Sequence, residues 1–142
     1  MTRTTIAKTA VSLLLVAMMC GCATGPKGPT DEELIIGQLA ALRDAVIGGD
    51  AEKVVATISE DFYHPEVGDK SVIAELIQQG MDAGYTEDGE VDLELVKITI
   101  EGETATAYPV EASSSAGSVT AEVTFKKEKG NWYITGGDVE GI

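Results

Sequence analysis

The stretch from Ser118 to Val139, SVTAEVTFKKEKGNWYITGGDV, admits few backbone arrangements. Val119, Ala121, Val123 and Phe125 alternate with Thr120, Glu122, Thr124 and Lys126, the two-residue period of a strand with one buried face. Lys129-Gly130-Asn131 supplies tight-turn chemistry, and Trp132 with Ile134 returns along a partner strand. A hairpin of this kind is the closing element of an antiparallel sheet, and its apolar face needs cover from elsewhere in the chain.

The residues before the hairpin supply that cover. Thr30-Asp31-Glu32-Glu33 matches a capping box, with three acids suited to the positive end of a helix dipole. Ile35, Leu39, Leu42 and Val46 recur at helical spacing and form a core-facing stripe. Gly48-Gly49 stops this helix, and Asp50 caps a second that runs through Val54, Val55 and Ile58. A third helix starts at Asp69 or Ser71, carries Val72, Ile73, Leu76 and Ile77, and ends at Gly84. Between the second and third, Phe62-Tyr63 reads as a short extended piece, broken into a loop by Pro65 and Gly68.

After the helices, Val91, Leu93 and Leu95 alternate on one face, then Val96, Ile98 and Ile100 continue with the opposite parity. That change predicts a bulge within one strand, which bends it. Gly102 turns the chain into a strand from Thr104 to Glu111, where Pro109 predicts an edge position or a second irregularity. Ala112 to Gly117 reads as a small polar loop. The expected fold is α+β: three N-terminal helices, with one short strand between the second and third, packed on four antiparallel strands.

Residues 1–21 have the parts of an export signal: Arg3 and Lys8 at a positive start, then an apolar run from Ala10 to Met19. As a helix the run is too short to span a hydrocarbon core of ~30 Å. Met19-Cys20-Gly21-Cys22-Ala23 resembles the bacterial lipobox. That resemblance implies a cleaved leader, an acylated (palmitate-type) Cys22 as the new N-terminus, and location at a bacterial cell envelope. With two membranes, Ala23 after the cysteine implies the outer one, facing the periplasm. Two or more acyl chains hold firmly where one binds only marginally. The alternative is an ordinary cleaved signal that leaves Cys22 a free thiol.

Residues 22–29 then comprise the lipidated cysteine and a short Gly/Pro tether, which at ~3.5 Å per residue holds the domain, residues 30–142, close to the membrane. With Cys20 removed and Cys22 a thioether, the domain has no disulfide, and its stability rests on packing. A chain of 142 residues suits one such domain. The formal net charge of −14 disfavours nucleic acid and anionic lipid headgroups as partners, because their phosphates are repelled.

Four segments carry a family resemblance: Ile47-Gly48-Gly49-Asp50-Ala51-Glu52-Lys53-Val54, Glu60-Asp61-Phe62-Tyr63-His64-Pro65, Gly68 to Ile77, and Gly130-Asn131-Trp132-Tyr133-Ile134. In order and spacing the chain resembles the nuclear transport factor 2-like superfamily, the cone fold shared by ketosteroid isomerase, scytalone dehydratase and small polyketide cyclases. The resemblance covers about Thr30 to Val139. It implies helices packed on a strongly curved, cone-like sheet, with a mouth leading to a mostly apolar pocket. It also implies that the sheet face offers a homodimer surface.

The chemistry-bearing residues are sparse. His64, the single histidine, suits general-base work near neutral pH at a pocket mouth, with Asp61 or Glu66 orienting it. A histidine before proline in a loop is more often solvated. The catalytic patterns of the enzymes named above are incomplete here: scytalone dehydratase resemblance implies a second histidine, and ketosteroid isomerase resemblance implies a tyrosine on the first helix. Tyr63, Tyr108 and Trp132 are candidate pocket residues, each with a polar tip on an apolar body; Trp132 equally reads as core. Glu87, Asp88, Glu90, Asp92 and Glu94 crowd within a few residues without calcium-loop spacing, so a solvated acidic face is the simpler reading. One histidine and no free cysteine cannot build a typical zinc site. Lys126, Lys127 and Lys129 read as a solubilising hairpin tip.

The reading that joins these features is a lipid-anchored envelope domain, non-enzymatic and without metal or cofactor. It would bind a small apolar ligand or an envelope protein. Two rivals stand beside it: an isomerase- or dehydratase-type enzyme using His64 with Asp61, and a pure interaction module whose cone is plugged by its own side chains.

Overall fold

The computed structural model describes residues 28–141; the leader, Cys22 and the start of the tether lie outside them. Helix α1 (Asp31–Ile47) begins as its capping box predicts. Thr30 Oγ1 accepts from the Glu33 N–H at 3.2 Å, and Glu33 Oε2 accepts from the Thr30 N–H at 2.7 Å. Two otherwise orphaned donors are thereby satisfied. Gly49, at φ 66, ends the helix in the left-handed region that glycine enters without a Cβ clash.

Helix α2 (Ala51–Ala56) is capped by Asp50, whose Oδ1 accepts from the Lys53 N–H at 3.1 Å. It stops short of Ile58, which helical periodicity had included. Ile58 instead forms a parallel bridge with Ile134. The Ser59 N–H donates to Ile134 O at 2.8 Å, and the Ile134 N–H donates to Thr57 O at 2.9 Å. A tertiary pairing therefore outcompetes the last helical turn.

The single short strand expected next is a hairpin of two, β1 (Tyr63–His64) and β2 (Gly68–Asp69). Asp69 then caps α3 (Lys70–Asp82), its Oδ1 accepting from the Ser71 and Val72 N–H groups at 2.9 and 3.3 Å. Ile73 and Ile77 of α3 pack against the core, while Val72 and Leu76 stay exposed.

Five strands follow, not four: β3 (Glu90–Asp92), β4 (Lys97–Glu101), β5 (Thr104–Ser114), β6 (Gly117–Glu128) and β7 (Asn131–Glu140). They form one antiparallel sheet in the order β3–β5–β6–β7, with β4 also on β5. The expected bulged strand is in fact two strands, because β4 pairs with Thr104–Tyr108 of β5 and β3 with Glu111–Ser113. A turn closed by Val96 N–H to Leu93 O at 3.3 Å separates them. Pro109 lies in the gap, where the register of β5 on β6 also shifts, between Ala107 and Val110. β5 is thus internal, and the irregularity, not an edge, accommodates a residue with no N–H. The polar segment after Glu111 is mostly strand, since β5 runs to Ser114 and β6 starts at Gly117.

A second register shift, between Thr124 and Phe125, adds to the bend of the sheet. Lys129 (φ 51) and Gly130 (φ 83) form the final turn in the primed geometry that matches strand twist. Helices and inner sheet face meet around Trp132, Phe125, Ile35 and Leu39, all fully buried, joined by Ile58, Phe62, Ala105, Ala107, Val110, Val123 and Ile134. Among the described residues no helix is long and apolar enough to cross a membrane.

Candidate functional site

Where β3, the β5–β6 turn and the end of β7 come together, a cavity of about 630 Å³ opens. Its floor is a cross-strand row. Val91 pairs with Ala112, and Ala112 pairs with Val119. Strand alternation sets all three on the inner face. Val46, the last member of the α1 stripe, and Tyr85 and Thr86 after α3 form the walls. Ser113, Ser114 and Ser118 complete the lip, and Tyr85 is 63% exposed. The lining is predominantly apolar, and the size is that of small-molecule sites, which span roughly 300–1,000 Å³.

One residue along each strand, the character inverts. Asp92 pairs with Glu111, Glu111 with Thr120, and Thr120 with Glu140. These four residues, with Glu90, line a second depression of about 430 Å³. Glu90, Ala112, Ser113, Ser118, Val119 and Gly141 border both hollows, which lie against opposite faces of the same strands. Among the described residues the ion pairs lie elsewhere, at Asp31, Asp44, Asp50, Glu60 and Asp61. Glu90, Asp92, Glu111 and Glu140 form no ion pair among the described residues, while Arg43 borders a neighbouring hollow with Glu90 and Asp92.

The residues singled out by type from the sequence sit away from this cavity. Trp132 is fully buried at the opposite end of the core, its Nε1 donating to Asp31 Oδ1 at 3.0 Å and its carbonyl accepting from Gln38 Nε2 at 2.8 Å. Tyr108 lies opposite Lys97 and is exposed. Tyr63 is exposed on β1 beside His64. None of these four residues lines the 630 Å³ cavity.

His64 Nδ1 accepts from the Glu66 N–H at 3.2 Å. Asp61 turns elsewhere, its carboxylate to Lys126 Nζ at 3.4 Å and its N–H to Ser59 Oγ at 3.0 Å. The pair expected to act together is therefore divided between different partners. Lys126 and Lys127, expected as a free basic tip, are both engaged, Lys127 with Asp31 at 2.8 Å. Lipidation of Cys22 concerns a residue outside the described ones.

Three carboxyls at helix starts are held below the ordinary aspartate value. For Asp31 the main cause is the Lys127 contact, followed by the Trp132 N–H. For Asp50 it is Lys53, and for Asp69 the Ser71 hydroxyl, helped by the Val72 and Ser71 N–H groups. These groups serve the caps, not the cavity. Among the described residues, no cluster of three or more histidine, cysteine or carboxylate side chains is placed to hold a metal ion.

The resemblance implied an apolar pocket, but sequence reasoning missed its lining, because the wall consists of residues that look ordinary. Val46, Val91 and Val119 read as core, and Ala112 to Gly117 as loop. The one usable signal was the run of small side chains in Ala112-Ser113-Ser114-Ser115-Ala116-Gly117-Ser118, which cannot fill the end of a curled sheet.

No family model and no curated protein matches the chain in sequence. Solved structures match it in shape. A protein of unknown function with a cystatin-like fold from Nostoc punctiforme has a TM-score of 0.63 at 15% identity, over 80% of this chain and 93% of that one. An NTF2-like protein of unknown function from Pseudomonas putida gives 0.63 at 16% identity, over 77% and 84%. A proposed dehydratase from the NTF2-like family of Streptomyces avermitilis gives 0.61 at 15% identity, over 79% and 97%. The chain thus has the α+β cone fold of NTF2-like and cystatin-like proteins. At these identities the likeness concerns the fold alone.

Proposed function

We propose that this chain is a binding module, held at a cell envelope through a lipidated Cys22, that receives a small molecule with an apolar body at the open end of its cone. The supporting observation is the floor Val91–Ala112–Val119, which borders a cavity of about 630 Å³ at the end of the core away from the fully buried Trp132. Apolar ligand surface buried there gains about 25 cal/mol per Å².

The enzymatic rival draws support from the proposed dehydratase among the similar structures. It would rely on His64 and Asp61, which are bonded to Glu66 and Lys126 and lie outside the cavity lining. Binding is therefore the better-supported reading. A plugged interaction module would suit the middle of the cone but leaves its open end unexplained.

The test is native mass spectrometry of the protein purified from its own envelope extract. An apolar molecule should accompany the parent and be lost from Ala112→Trp, whose larger side chain fills the floor. Bare protein in both cases, with folding intact, would overturn the reading in favour of an envelope-protein partner. For the anchor, metabolic labelling with an alkyne fatty acid should mark the parent and not Cys22→Ser; label surviving the substitution would refute the assigned site.

A further inference from the structure

We infer that the cavity opens away from the bilayer that holds the chain, so that its molecule is exchanged with the aqueous compartment and not with that bilayer. The inference rests on the lipidated Cys22 and the cavity reading proposed above, and adds the direction in which the anchored domain faces. Two elements run the length of the domain and agree on its ends. Helix α1 starts at Asp31, which is bonded to Trp132, and its Val46 lines the cavity. Strand β7 carries Trp132 near its start and ends at Glu140, next to the cavity residue Gly141. The tether enters at Thr30, so the attachment point and the cavity mouth lie at opposite ends.

The tether leaves little slack for the domain to turn over. Between Asp31 and Val46, α1 rises about 22 Å at ~1.5 Å per residue. Setting the mouth on the bilayer would make residues 23–29 run back along that length. Fully extended they reach ~25 Å, and as a coil they average about 13–16 Å. An inverted domain therefore needs the tether stretched almost straight, at the cost of its conformational freedom. A molecule that reaches the mouth has to leave its own membrane first. This favours small apolar ligands that dissolve as monomers over lipids confined to a bilayer.

The test uses the acylated mature chain in phosphatidylcholine vesicles whose headgroups carry nitroxide quenchers, so that lipid charge plays no part. A fluorophore is placed on the Ser115→Cys variant, in the β5–β6 turn at the mouth, or on the Asn131→Cys variant, at the start of β7. Both positions are exposed, and a thioether at Cys22 leaves the introduced thiol as the reactive one. Quenching should be several-fold stronger at position 131 than at position 115. Inserting about 20 Gly/Ser residues between Cys22 and Thr30 raises the average span of the tether to about 26–31 Å, and should narrow that difference. The parent should also take up the apolar dye 1-N-phenylnaphthylamine no faster from the vesicles that hold it than from separate vesicles.

Equal quenching at the two positions in the parent would overturn the orientation, and so would a difference that the longer tether leaves unchanged. Faster uptake of dye from the parent's own vesicles would overturn exchange through water. Failure of the folded chain to float with vesicles would instead overturn the anchor at Cys22. Absence of dye uptake from either source, with the quenching difference intact, would overturn the cavity reading and leave the orientation standing.

Discussion

Trp132 Nε1 donates to Asp31 Oδ1 at 3.0 Å, which locks the last strand of the sheet to the first residue of helix α1. Lys127 Nζ meets the same oxygen at 2.8 Å and lies 5.9 Å from the centre of the indole ring. The two ends of the domain are thereby closed on one another by a buried aromatic and a half-exposed ion pair. Trp132→Ala should cost roughly 3–5 kcal/mol in urea unfolding, and Trp132→Phe roughly 1–3 kcal/mol. A change below 0.5 kcal/mol for Trp132→Ala, a bound set by ordinary surface substitutions, would contradict this account.

The same contact gives a pH dependence with a definite sign. Lys127 and Trp132 hold the Asp31 carboxyl below its ordinary value of 3.8, so folding favours the ionised form. The resulting stability is complete above the unfolded value and is lost as pH falls through the lowered folded one. Asp31→Ala should therefore be less stable than the parent near neutrality, with the gap narrowing in acid. Thermal unfolding of both proteins between neutral pH and strong acid reads this directly, and a gap that stays constant would contradict it.

Ser59 is almost fully buried where the chain leaves α2. Its hydroxyl donates to Glu128 Oε2 at 2.9 Å and accepts from the Asp61 N–H at 3.0 Å. Ser59→Ala strands that N–H and the carboxylate, at an expected cost of about 1–3 kcal/mol. Hydrogen exchange at the Asp61 amide should accelerate together with the loss of stability.

Lys129 occupies φ 51 in a two-residue turn, a region that strains side chains other than Asn, Asp and Gly. Lys129→Asn creates the Asn-Gly sequence that this turn prefers. A gain of about 0.5–1 kcal/mol is expected in the unfolding free energy. A loss would show that Lys129 serves the hairpin in some way other than geometry.

Gly137 has no room for a methyl group, because a Cβ there would overlap the carbonyl oxygen of Glu122 on β6. Backbone cannot rotate away as a side chain would. Gly137→Ala should destabilise by about 1–3 kcal/mol and shift the amide resonances of Glu122 and Val123. An unperturbed β6–β7 ladder would contradict the overlap.

The outer sheet face bears on self-association. Glu122 stands opposite Asp138, and Glu111 and Glu140 flank Thr120. A two-fold pairing of copies through this end would oppose carboxylates. Sedimentation should therefore show a monomer at low ionic strength, with any sheet-face dimer strengthened by salt. A dimer that weakens as salt rises would point to a different interface.

What neighbouring residues decide by themselves was legible. Thr30 and Glu33 cap each other across three positions, Gly49 and Gly130 take the left-handed backbone, and Val119 to Phe125 alternate, all through bonds and sterics that act within a few residues. The core role of Trp132 was readable as one of two alternatives, because residue type indicates burial but not location. Tertiary pairing decided the rest. The segment Val91 to Ile100 became two strands because β5, interrupted at Pro109, offers two separate ladders. Ile58 left its helix because Ile134 offered it a bridge. The cavity exists because Val46, Tyr85, Val91, Ala112 and Val119, distant along the chain, meet at the end of a bent sheet. Its shape depends on register and curvature, which arise only when strands far apart in sequence bond to one another.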